Sequence, residues 1–434
     1  MAQQVAIVGY ATEGMVSAYY YFKRGFVVTI CDQNEALSVP QDYSSQLGTT
    51  YLDNLERFDI IVRSAGIPPH VILEKNPSVA PKITTATNEF LRICPTANTI
   101  GITGTKGKGT TSTLVARMLE AAGETVYLGG NIGRSPLEFY DSVQPADWVV
   151  LELSSFQLID LQHSPHIGAC LMVVPEHLNW HADMAEYVAA KSQLFTCQTS
   201  NDVAVYYAEN ETSREIAATG AGRKVPYFQS PGAWINGNML TIDGQELCTT
   251  EEIKLLGAHN WQNVCAAVTV VWLAGIHDIS AIRSVIAGFG GLEHRLELVR
   301  EFEGVRYYDD SFGTTPETAI VALQAFAEPK IAILGGSDKG ASYDELAHVV
   351  ATSNVRHAVL IGDQAVRIQQ ALEAAGFHEF SQGGQTMTAI VSAARASAQS
   401  GDVILLSPAC ASFGLFKDYK DRGNQFKQTV QALA

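Results

Sequence analysis

One loop of this chain combines glycines and lysines in a pattern that is typical of phosphate binding. It follows a β-branched run at 100–103 and precedes a helix that we predict over 111–122. Gly104 and Gly107 let the backbone turn so that several N–H groups point into one hollow, to which the helix adds its positive end. Lys108 would then reach the outer phosphates of a nucleotide. The order of strand, loop and helix favours this interpretation over a glycine-lysine turn without catalytic meaning.

The hydroxyl that usually holds Mg²⁺ in such a loop is displaced in this sequence. The common pattern places Ser or Thr directly after the lysine. Here Gly109 stands at that position, and hydroxyls follow at Thr110 and Thr111. The match to the pattern is therefore imperfect.

Two side chains that follow apolar runs are candidate metal ligands. Glu152 ends the predicted strand 148–151, and it lies beside the phosphate loop if the two strands are neighbours. An acid that only caps a strand end is an equal alternative. His177 follows the predicted strand 171–174 and could complete a metal shell or orient a substrate carboxylate, although a lone histidine is more often structural.

A lysine interrupts an apolar stripe in the predicted helix 185–195. By their i, i+3, i+4 and i+7 spacing, one face of this helix holds Val188, Lys191, Leu194 and Phe195. Lys191 could extend its ammonium to solvent along the apolar surface. Alternatively, burial lowers the pKa of the amine, so that the neutral form can be modified or pair with an anion. The sequence leaves both interpretations open.

The first turn of the chain has roughly the layout of a dinucleotide-binding site. Gly9 and Gly14 follow the predicted strand 5–8, and Asp32 ends the next strand, where such sites place the acid that binds a ribose. Ala11 occupies the position of the middle glycine. Because this motif is degenerate, a nicotinamide or flavin site and a site for another nucleotide both stay open.

Three loops near the C-terminus also follow predicted strands. They offer hydroxyls, one lysine and backbone donors, which suit a small dicarboxylate or the edge of a nucleotide. The loops are 309–315, 335–340 and 407–413.

Short Val/Ile-rich runs alternate with helical stretches along the whole chain, which predicts an α/β fold with mainly parallel sheets and crossover helices. We predict strands at 5–8, 27–31, 60–62, 100–103, 148–151, 171–174, 330–334, 358–361 and 403–406. Joints that contain Pro or Gly, at 93–97 and 288–291, divide the chain into three predicted domains. These domains are 1–92, 93–290 and 291–434.

The composition is that of an ordinary globular protein, with 47% hydrophobic and 17% charged residues and a formal net charge of −16. A charge of that sign argues against nonspecific binding to nucleic acid or to anionic membranes. The longest uncharged apolar run, 264–276, is too short to span a bilayer as a helix. Seven cysteines without C-x-x-C spacing, and no visible secretory signal, point to the reducing cytosol.

The order of these pieces resembles that of the Mur ligases, the ATP-dependent amino-acid ligases of peptidoglycan precursor synthesis. The resemblance covers the whole chain. Two long motifs, at 152–158 and 406–412, are most similar to the members that add D-glutamate. Motifs shared across the family occur at 104–108, 129–133, 259–263 and 294–295, and at Asp310.

The resemblance implies a Rossmann-like N-terminal domain for the UDP part of a substrate, a P-loop central domain for ATP, and a Rossmann-like C-terminal domain for the incoming amino acid. The implied reaction joins D-glutamate to UDP-N-acetylmuramoyl-L-alanine through an acyl phosphate, with formation of ADP. The implied cofactors are ATP, two Mg²⁺ ions, and CO₂ as a carbamate on Lys191. We expect a cytoplasmic monomer that binds no nucleic acid and inserts into no membrane.

The same resemblance assigns site residues by position. It places ATP against Gly104, Thr105, Lys106, Gly107, Lys108, Gly109, Thr110, Thr111, Asn260, Asn263, Arg295 and Asp310. It places the UDP substrate against Thr12, Glu13, Asp32, Asn131 and His177. It places D-glutamate against Thr314, Lys339, Ser412, Phe413 and Tyr419. The implied metal ligands are Thr110, Glu152, His177 and carbamylated Lys191, and the implied catalytic residues are Lys108, His177 and Lys191.

Several positions depart from the family pattern. Gly109 is similar to the arrangement in the related folylpolyglutamate synthetases, where the hydroxyl comes one residue later, so we expect Thr110 to bind the metal. Phe312 stands where a lysine is common in the members that add D-glutamate. Glu176 and Asn179 replace aspartates that usually flank the metal-binding histidine.

Three other functions compete with this prediction. A Mur ligase or polyglutamate synthetase with another acceptor would keep the same ATP chemistry. An oxidoreductase that uses the first turn would leave the phosphate loop unexplained. A nucleotide-binding regulator without activity is suggested only by Gly109.

Overall fold

The computed structural model describes residues 2–178, 180–255, 257, 259–337 and 341–433. The packing divides the described chain into two compact units, 1–254 with 258–289, and 255–257 with 290–434. Parallel strand pairs dominate the large sheets of both units, which confirms the predicted α/β class. The finer division into three domains stays a prediction.

The first sheet is parallel and carries the N-terminal turn. It consists of β1 (Gln4–Val8), β2 (Val27–Asp32), β3 (Ser44–Leu47), β4 (Ile60–Arg63) and β5 (Ile83–Thr84), in the spatial order β3-β2-β1-β4-β5. Its helices are α1 (Thr12–Lys23), α2 (Pro69–Lys75) and α3 (Ala86–Ile93). A Cβ on Gly14 would lie 2.0 Å from Gly9 O. Glycine at 14 therefore serves the close packing of α1 on the turn after β1.

The second sheet is also parallel. It consists of β6 (Thr99–Thr103), β7 (Val126–Gly130), β8 (Trp148–Glu152), β9 (Ile167–Cys170), β10 (Val203–Tyr207) and β11 (Arg223–Tyr227), in the spatial order β11-β10-β9-β6-β8-β7. Its helices are α4 (Lys108–Ala121), α5 (Pro136–Phe139), α6 (Ser155–Leu158), α7 (Met184–Thr196) and α8 (Glu211–Ala217). Because β6 lies between β9 and β8, residues that follow these three strands meet at one edge of the sheet.

The strand predicted at 171–174 is wrong in position, because β9 ends at Cys170. Beyond that residue the backbone leaves the sheet and bonds to the phosphate loop. Thr105 N donates to Met172 O at 2.8 Å, and Val174 N donates to Thr105 Oγ1 at 3.1 Å. β9 contains Gly, Ala and Cys, small residues with weak strand propensity, so the sequence pattern did not predict it.

A small antiparallel sheet and two helices complete the first unit. The sheet consists of β12 (Trp234–Asn236), β13 (Met239–Ile242) and β14 (Gln245–Thr249). The helices are α9 (His259–Leu273) and α10 (Ile279–Gly288), and both pack against α4.

The sheet of the second unit has one antiparallel edge pair. It consists of β15 (Glu297–Phe302), β16 (Val305–Asp309), β17 (Lys330–Gly335), β18 (Val355–Ile361), β19 (Phe380–Gln382) and β20 (Val403–Leu406), in the spatial order β15-β16-β20-β17-β18-β19. Its helices are α11 (Pro316–Gln324), α12 (Asp344–Thr352), α13 (Ala365–Ala374), α14 (Met387–Ala396) and α15 (Tyr419–Gln431). β16, β20 and β17 are parallel neighbours, so the loops that follow them share one edge.

Every predicted strand other than 171–174 overlaps a strand of the structure. None of the described helices is both long enough and apolar enough to cross a membrane.

Candidate active site

The phosphate loop connects β6 to α4 and needs glycine at two positions. Gly104 has φ +141° and Gly107 has φ +88°, in the region that favours glycine. A Cβ on Gly107 would lie 2.1 Å from Asn263 Oδ1. α4 begins at Lys108, earlier than the predicted start at 111, because left-handed Gly107 is its N-cap residue. The first N–H groups of α4 have no partner within the helix, so this end favours an anion.

Lys108 lies over the loop, whereas Lys106 forms an exposed ion pair. Lys108 Nζ donates to Gly104 O at 3.1 Å and to Thr105 O at 3.0 Å. Lys106 Nζ pairs with Glu176 Oε1 at 2.6 Å, and its side chain is 65% exposed. The Lys108 ammonium is therefore held within reach of an anion at the N-terminus of α4.

Both candidate metal hydroxyls lie in the first turn of α4. Thr110 and Thr111 are buried. Within the described chain, Thr111 Oγ1 has no hydrogen-bond partner. The choice of Thr110 as the metal-binding hydroxyl stays a prediction.

β8 is the neighbour of β6, so Glu152 at the end of β8 lies beside the phosphate loop, as the predicted metal site requires. Ile102 of β6 pairs with Glu152, the last residue of β8. Glu152 is buried, and its Oε1 accepts a hydrogen bond from Asn131 Nδ2 at 2.9 Å. Asn131 follows β7, the next strand of the sheet. The predicted acid and the predicted asparagine therefore meet at the edge that carries the phosphate loop.

His177 follows β9 with a left-handed backbone, φ +59°. Its ring centroid lies 4.9 Å from that of Phe156. Burial lowers the pKa of His177, and Glu176 opposes this effect. Lys108 and Lys191 lower the pKa further. A neutral imidazole is the form that binds a metal ion.

Lys191 is buried on α7, which excludes the solvent-extended alternative. Its Nζ donates to Gly104 O at 2.8 Å and lies 3.4 Å from Thr103 Oγ1. The same atom lies 4.5 Å from the centroid of the Tyr187 ring. Burial is the main cause that lowers the pKa of Lys191 to about 7, and the charge of Lys108 adds to it. A large fraction of this amine is therefore neutral near pH 7.

α9 brings two further predicted residues to the phosphate loop. Asn263 Nδ2 donates to Asn260 Oδ1 at 2.8 Å. Asn263 Oδ1 faces Gly107 closely enough to exclude a larger residue there. Asn260 and Asn263 thus belong to the same cluster as the loop.

A cavity of about 550 Å³ lies at the carboxyl ends of β1, β2 and β4. Two of its lining residues, Glu13 and Asp32, were predicted to bind the UDP substrate. Asp32 Oδ2 accepts from Tyr10 N at 2.8 Å, and Asp32 Oδ1 accepts from Asn34 N at 2.9 Å. Glu13 Oε2 accepts from Ala65 N at 3.2 Å, and burial raises the pKa of Glu13. Backbone donors therefore fix both carboxylates in the cavity wall.

In the second unit, two predicted ATP contacts are Asp310, which directly follows β16, and Arg295, which precedes β15. Asp310 Oδ2 accepts from Ser407 Oγ at 2.6 Å, and Asp310 Oδ1 accepts from Leu296 N at 3.2 Å. Burial raises the pKa of Asp310 to about 7. The Arg295 guanidinium lies 4.6 Å from the centroid of the Phe312 ring.

The described residues predicted to contact D-glutamate lie after β16, after β20 and at the start of α15. Tyr419 begins α15, and its ring centroid lies 5.3 Å from that of Phe312. Ser412 is buried, Thr314 is half-buried, and Phe413 is 64% exposed. Their common role stays a prediction.

Three further residues singled out from the sequence are Thr12, Lys339 and Asn179. Thr12 begins α1 and is exposed. Lys339 and Asn179 lie outside the described residues.

The sequence-based predictions missed two residues near the site. Arg63, the last residue of β4, is fully buried and forms a bidentate ion pair with Asp160. Tyr187 OH lies 2.9 Å from Thr105 Oγ1, and its ring packs against Lys191. A signal for Arg63 was present, since it is a charged residue at the end of an apolar strand. Tyr187 gave no signal, because an aromatic residue on a helix is typical of a core.

Comparison with known sequences relates this architecture to one family. The family model "Mur ligase middle domain" matches residues 102–271, and "Mur ligase, glutamate ligase domain" matches 294–410. The UDP-N-acetylmuramoylalanine–D-glutamate ligase of Symbiobacterium thermophilum is 37% identical over 100% of this chain and 99% of that protein. The protein of the same name from Clostridium tetani is 34% identical over 99% of this chain and 97% of its own length.

Comparison with solved structures agrees on the fold. UDP-N-acetylmuramate-alanine ligase MurC from Thermotoga maritima gives a TM-score of 0.59 at 16% identity, over 100% of both chains. MurF ligase from the same organism, solved in complex with ADP, gives 0.57 at 14% identity over 100% of this chain and 96% of that one. The resemblance seen in the sequence is thus confirmed, and this chain belongs to the Mur ligase family of ATP-dependent, ADP-forming amide ligases.

Proposed function

We propose that this protein joins D-glutamate to UDP-N-acetylmuramoyl-L-alanine in the cytoplasm, with conversion of ATP to ADP and phosphate. Relatives that match nearly the whole chain are named for these two substrates. The observation that carries the proposal is a group of polar side chains at the carboxyl edge of the second sheet. The group consists of Lys108, Glu152, His177 and Lys191.

The arrangement suits a reaction that first activates a carboxylate. The alanyl carboxylate attacks the γ-phosphorus of ATP, the bond from that phosphorus to the ADP oxygen breaks, and an acyl phosphate forms. The deprotonated amine of D-glutamate then attacks the acyl carbon, and phosphate leaves with the electrons of the C–O bond. Several anions meet in both steps, so positive charge is needed locally. Lys108, held over the loop by Gly104 O and Thr105 O, supplies part of it.

The side chains around Glu152 fit a magnesium ion. Mg²⁺ prefers oxygen ligands, and Glu152 offers a buried carboxylate that Asn131 holds in place. His177, whose lowered pKa favours the neutral imidazole, and Thr110 would complete the ligand set. A bound Mg²⁺ would neutralise charge on the phosphates of the nucleotide.

Lys191 fits a carbamate that supports a second Mg²⁺ ion. The neutral amine attacks the carbon of CO₂ and loses one proton, which leaves a carboxylate on Nζ. That carboxylate would replace the repulsion between Lys191 and Lys108 with an attraction. The burial of Lys191 and its direction toward the phosphate loop both favour this modification.

The remaining substrates follow from the positions of the other residues. We propose that residues 1–92 bind the UDP part in the cavity that contains Glu13 and Asp32, and that 93–290 bind ATP. Residues 291–434 would bind D-glutamate. The proposed contacts are those predicted from the sequence, Thr12, Glu13, Asp32, Asn131 and His177 for the UDP substrate, and Thr314, Lys339, Ser412, Phe413 and Tyr419 for D-glutamate.

Phosphate release tests the acceptor, the donor and the metal together. We expect release only when ATP, Mg²⁺, UDP-N-acetylmuramoyl-L-alanine and D-glutamate are all present. L-glutamate and the other amino acids, assayed one at a time, test whether another amino acid is the substrate. Release with another amino acid and none with D-glutamate would overturn the proposal.

Two lysines of the same loop give a matched pair of variants. Lys108→Ala removes the ammonium over the loop, and we expect kcat to fall by about 100-fold or more. Lys106→Ala removes an exposed lysine that pairs with Glu176, and we expect a loss below about tenfold. Equal losses in the two variants would contradict the placement of Lys108 at the phosphates.

The carbamate is tested by ¹³C NMR on protein equilibrated with ¹³C-bicarbonate. We expect a carbamate signal in the wild-type protein and none in Lys191→Ala. Lys330→Ala is the control, because Lys330 is the buried lysine of β17 in the second unit, and its removal leaves the signal. Absence of the signal from the wild-type protein would overturn the modification.

A further inference from the structure

Arg63, the last residue of β4, connects two segments of the first unit that are far apart in sequence. Its side chain is fully buried. Nε donates to Asp160 Oδ2 at 3.0 Å, and Nη2 donates to Asp160 Oδ1 at 2.9 Å. Nη2 also donates to Phe156 O at 2.9 Å. One edge of the guanidinium is therefore hydrogen-bonded to α6 and to Asp160, which follows it.

The other side of the guanidinium holds the turn 64–67, which lines the N-terminal cavity. Arg63 Nη1 donates to Ile67 O at 2.7 Å and to Ala65 O at 3.1 Å. The N–H of Ala65 donates to the Glu13 carboxylate, which lies in the same cavity wall. The shape of the turn thus depends on the buried arginine.

The contacts continue from α6 to His177. The ring of Phe156 lies 4.9 Å from that of His177 and 4.5 Å from that of Trp180, measured between centroids. Trp180 Nε1 donates to Gly66 O at 3.1 Å, and Gly66 belongs to the turn 64–67 of the cavity. The turn and His177 are therefore joined by two routes, one through Arg63 and Phe156 and one through Trp180.

The planar fork of an arginine is needed for this arrangement. Two parallel N–H groups match the two carboxylate oxygens of Asp160, while a third nitrogen faces the carbonyls of the turn. A lysine carries its three donors on a single nitrogen, so it lacks the fork that matches both oxygens of Asp160 while another nitrogen faces the turn. Arg63→Lys therefore keeps the charge and removes the connection.

We propose that Arg63 is a positioning residue that couples occupancy of the N-terminal cavity to the orientation of His177. A nucleoside diphosphate bound in the cavity fixes the turn 64–67. The guanidinium is hydrogen-bonded both to the turn and to Phe156 O in α6. A shift of the turn therefore moves Phe156 and, with it, the His177 ring that packs against Phe156. This inference rests on the proposed function, which places a UDP-linked substrate in that cavity.

The test is a titration of the full-length protein with UDP, followed by NMR of ¹³Cε1-labelled histidine. His177→Gln identifies the His177 resonance. UDP is the probe because it lacks the alanyl carboxylate, so it fills the cavity without adding the reacting group. Arg63→Lys is compared with Arg57→Lys, the same change at an exposed arginine of the same sheet region that bonds to Gln46.

In the wild-type protein and in Arg57→Lys, we expect UDP to move the His177 resonance. In Arg63→Lys, we expect UDP to bind within about threefold of the wild-type affinity and the movement to be clearly smaller than in the wild type, because only the route through Trp180 remains. In the ligase assay, kcat of Arg63→Lys falls by about tenfold, while KM for ATP changes by less than about threefold.

Three results would contradict the inference or the proposed UDP site. A His177 movement in Arg63→Lys equal to that of the wild type would overturn the inference and leave the proposed function intact. A fall in UDP affinity and thermal stability alone, with the movement unchanged, would do the same. If UDP does not bind the wild-type protein, the proposed UDP cavity fails, and the coupling fails with it. Should Arg63→Lys not fold, Asp160→Asn opens the bidentate pair at nearly constant volume and is measured in the same way.

Discussion

Lys191 of the first unit and Arg422 of the second are both buried cations, and their hydrogen bonds differ. Lys191 is 1% exposed, and Arg422 is 0% exposed. Arg422 Nε and Nη2 donate to Ser311 Oγ and Ser311 O at 2.9 and 2.8 Å, and Nη1 donates to Cys410 O at 3.2 Å. Lys191 bonds to Gly104 O at the edge of the phosphate loop. The arginine thus connects the loops after β16 and β20, whereas the lysine faces the phosphate loop.

The difference shows what burial does to each type of side chain. Burial lowers the pKa of Arg422 to about 10, with Cys410 and Asp309 opposing it, so the guanidinium stays charged at neutral pH. Burial and the charge of Lys108 lower the pKa of Lys191 to about 7. A buried arginine therefore remains a fixed donor, whereas a buried lysine can lose its proton and react. The buried arginine is therefore suited to fixing two loops by hydrogen bonds, and the buried lysine is suited to reacting through its neutral amine.

The largest expected effect is a loss of stability in Arg422→Met. The methionine fills the space but leaves Ser311 O, Ser311 Oγ and Cys410 O without their buried donors. We expect the free energy of unfolding of the second unit to fall by about 3–5 kcal/mol, measured by urea denaturation. Arg300→Met is the control, because Arg300 also donates to backbone carbonyls of that unit but is partly exposed, so that water can replace it. Equal losses of unfolding free energy in the two variants would show that burial gives the hydrogen bonds of Arg422 no additional contribution to stability.

The pH dependence of stability is the second expected effect, and it concerns Lys191. Its pKa is about 7 in the folded protein and near 10.5 when unfolded. The folded state therefore binds fewer protons between these values, and the free energy of unfolding rises with pH across this window. The destabilisation is fully present below pH 7 and disappears above the unfolded pKa.

Lys191→Met removes this destabilisation at every pH. We expect the variant to be more stable than the wild type at pH 6 by about 1–3 kcal/mol, with the difference shrinking toward pH 9. Urea denaturation in CO₂-free buffer with EDTA measures it, since a carbamate or a bound metal would change the charge. A difference that does not vary with pH would show that Lys191 titrates as an exposed lysine does.

The two units also differ in how far the sequence predicts them. In the first unit, the position of Glu152 beside the phosphate loop could be predicted because it ends an apolar strand, and parallel strands deliver such residues to one edge. The strand used to place His177 was predicted at 171–174, whereas the structure has it at 167–170. The burial of Lys191 could not be decided, since an apolar helix face fits both a solvent-extended and a buried lysine. Arg63 stood out as a charged residue at the end of an apolar strand, but the partners of Arg63 and Arg422 lie on segments distant in sequence, which no local pattern reveals. In the second unit the loops were predictable, but their roles depended on family resemblance.

A smaller effect is expected for Tyr187→Phe, which keeps the ring beside Lys191 and removes the hydroxyl. Tyr187 OH lies 2.9 Å from Thr105 Oγ1 in the phosphate loop. We expect about 1 kcal/mol lower stability and an ADP affinity about fivefold lower, measured by calorimetry. Tyr207→Phe, which removes a hydroxyl bonded to Glu209, is the control and should leave ADP affinity unchanged. If both variants bind ADP equally well, the hydroxyl of Tyr187 does not shape the loop.

The smallest effect concerns Arg295, the exposed counterpart of Arg422 in the second unit. Its guanidinium is held by the face of Phe312, at 4.6 Å from the ring centroid, and solvent reaches both side chains. The sequence predicts that Arg295 contacts the nucleotide, and an exposed cation–π contact contributes about 0.5–1 kcal/mol. On that prediction, Phe312→Leu should weaken ADP binding about two- to fivefold and leave unfolding unchanged. Phe312→Tyr keeps the aromatic face and should bind ADP as the wild type does. If Phe312→Leu also binds like the wild type, either the stacking does not orient Arg295 or Arg295 does not contact the nucleotide. Arg295→Lys then decides between the two, because it lowers ADP affinity only if the guanidinium contacts the nucleotide.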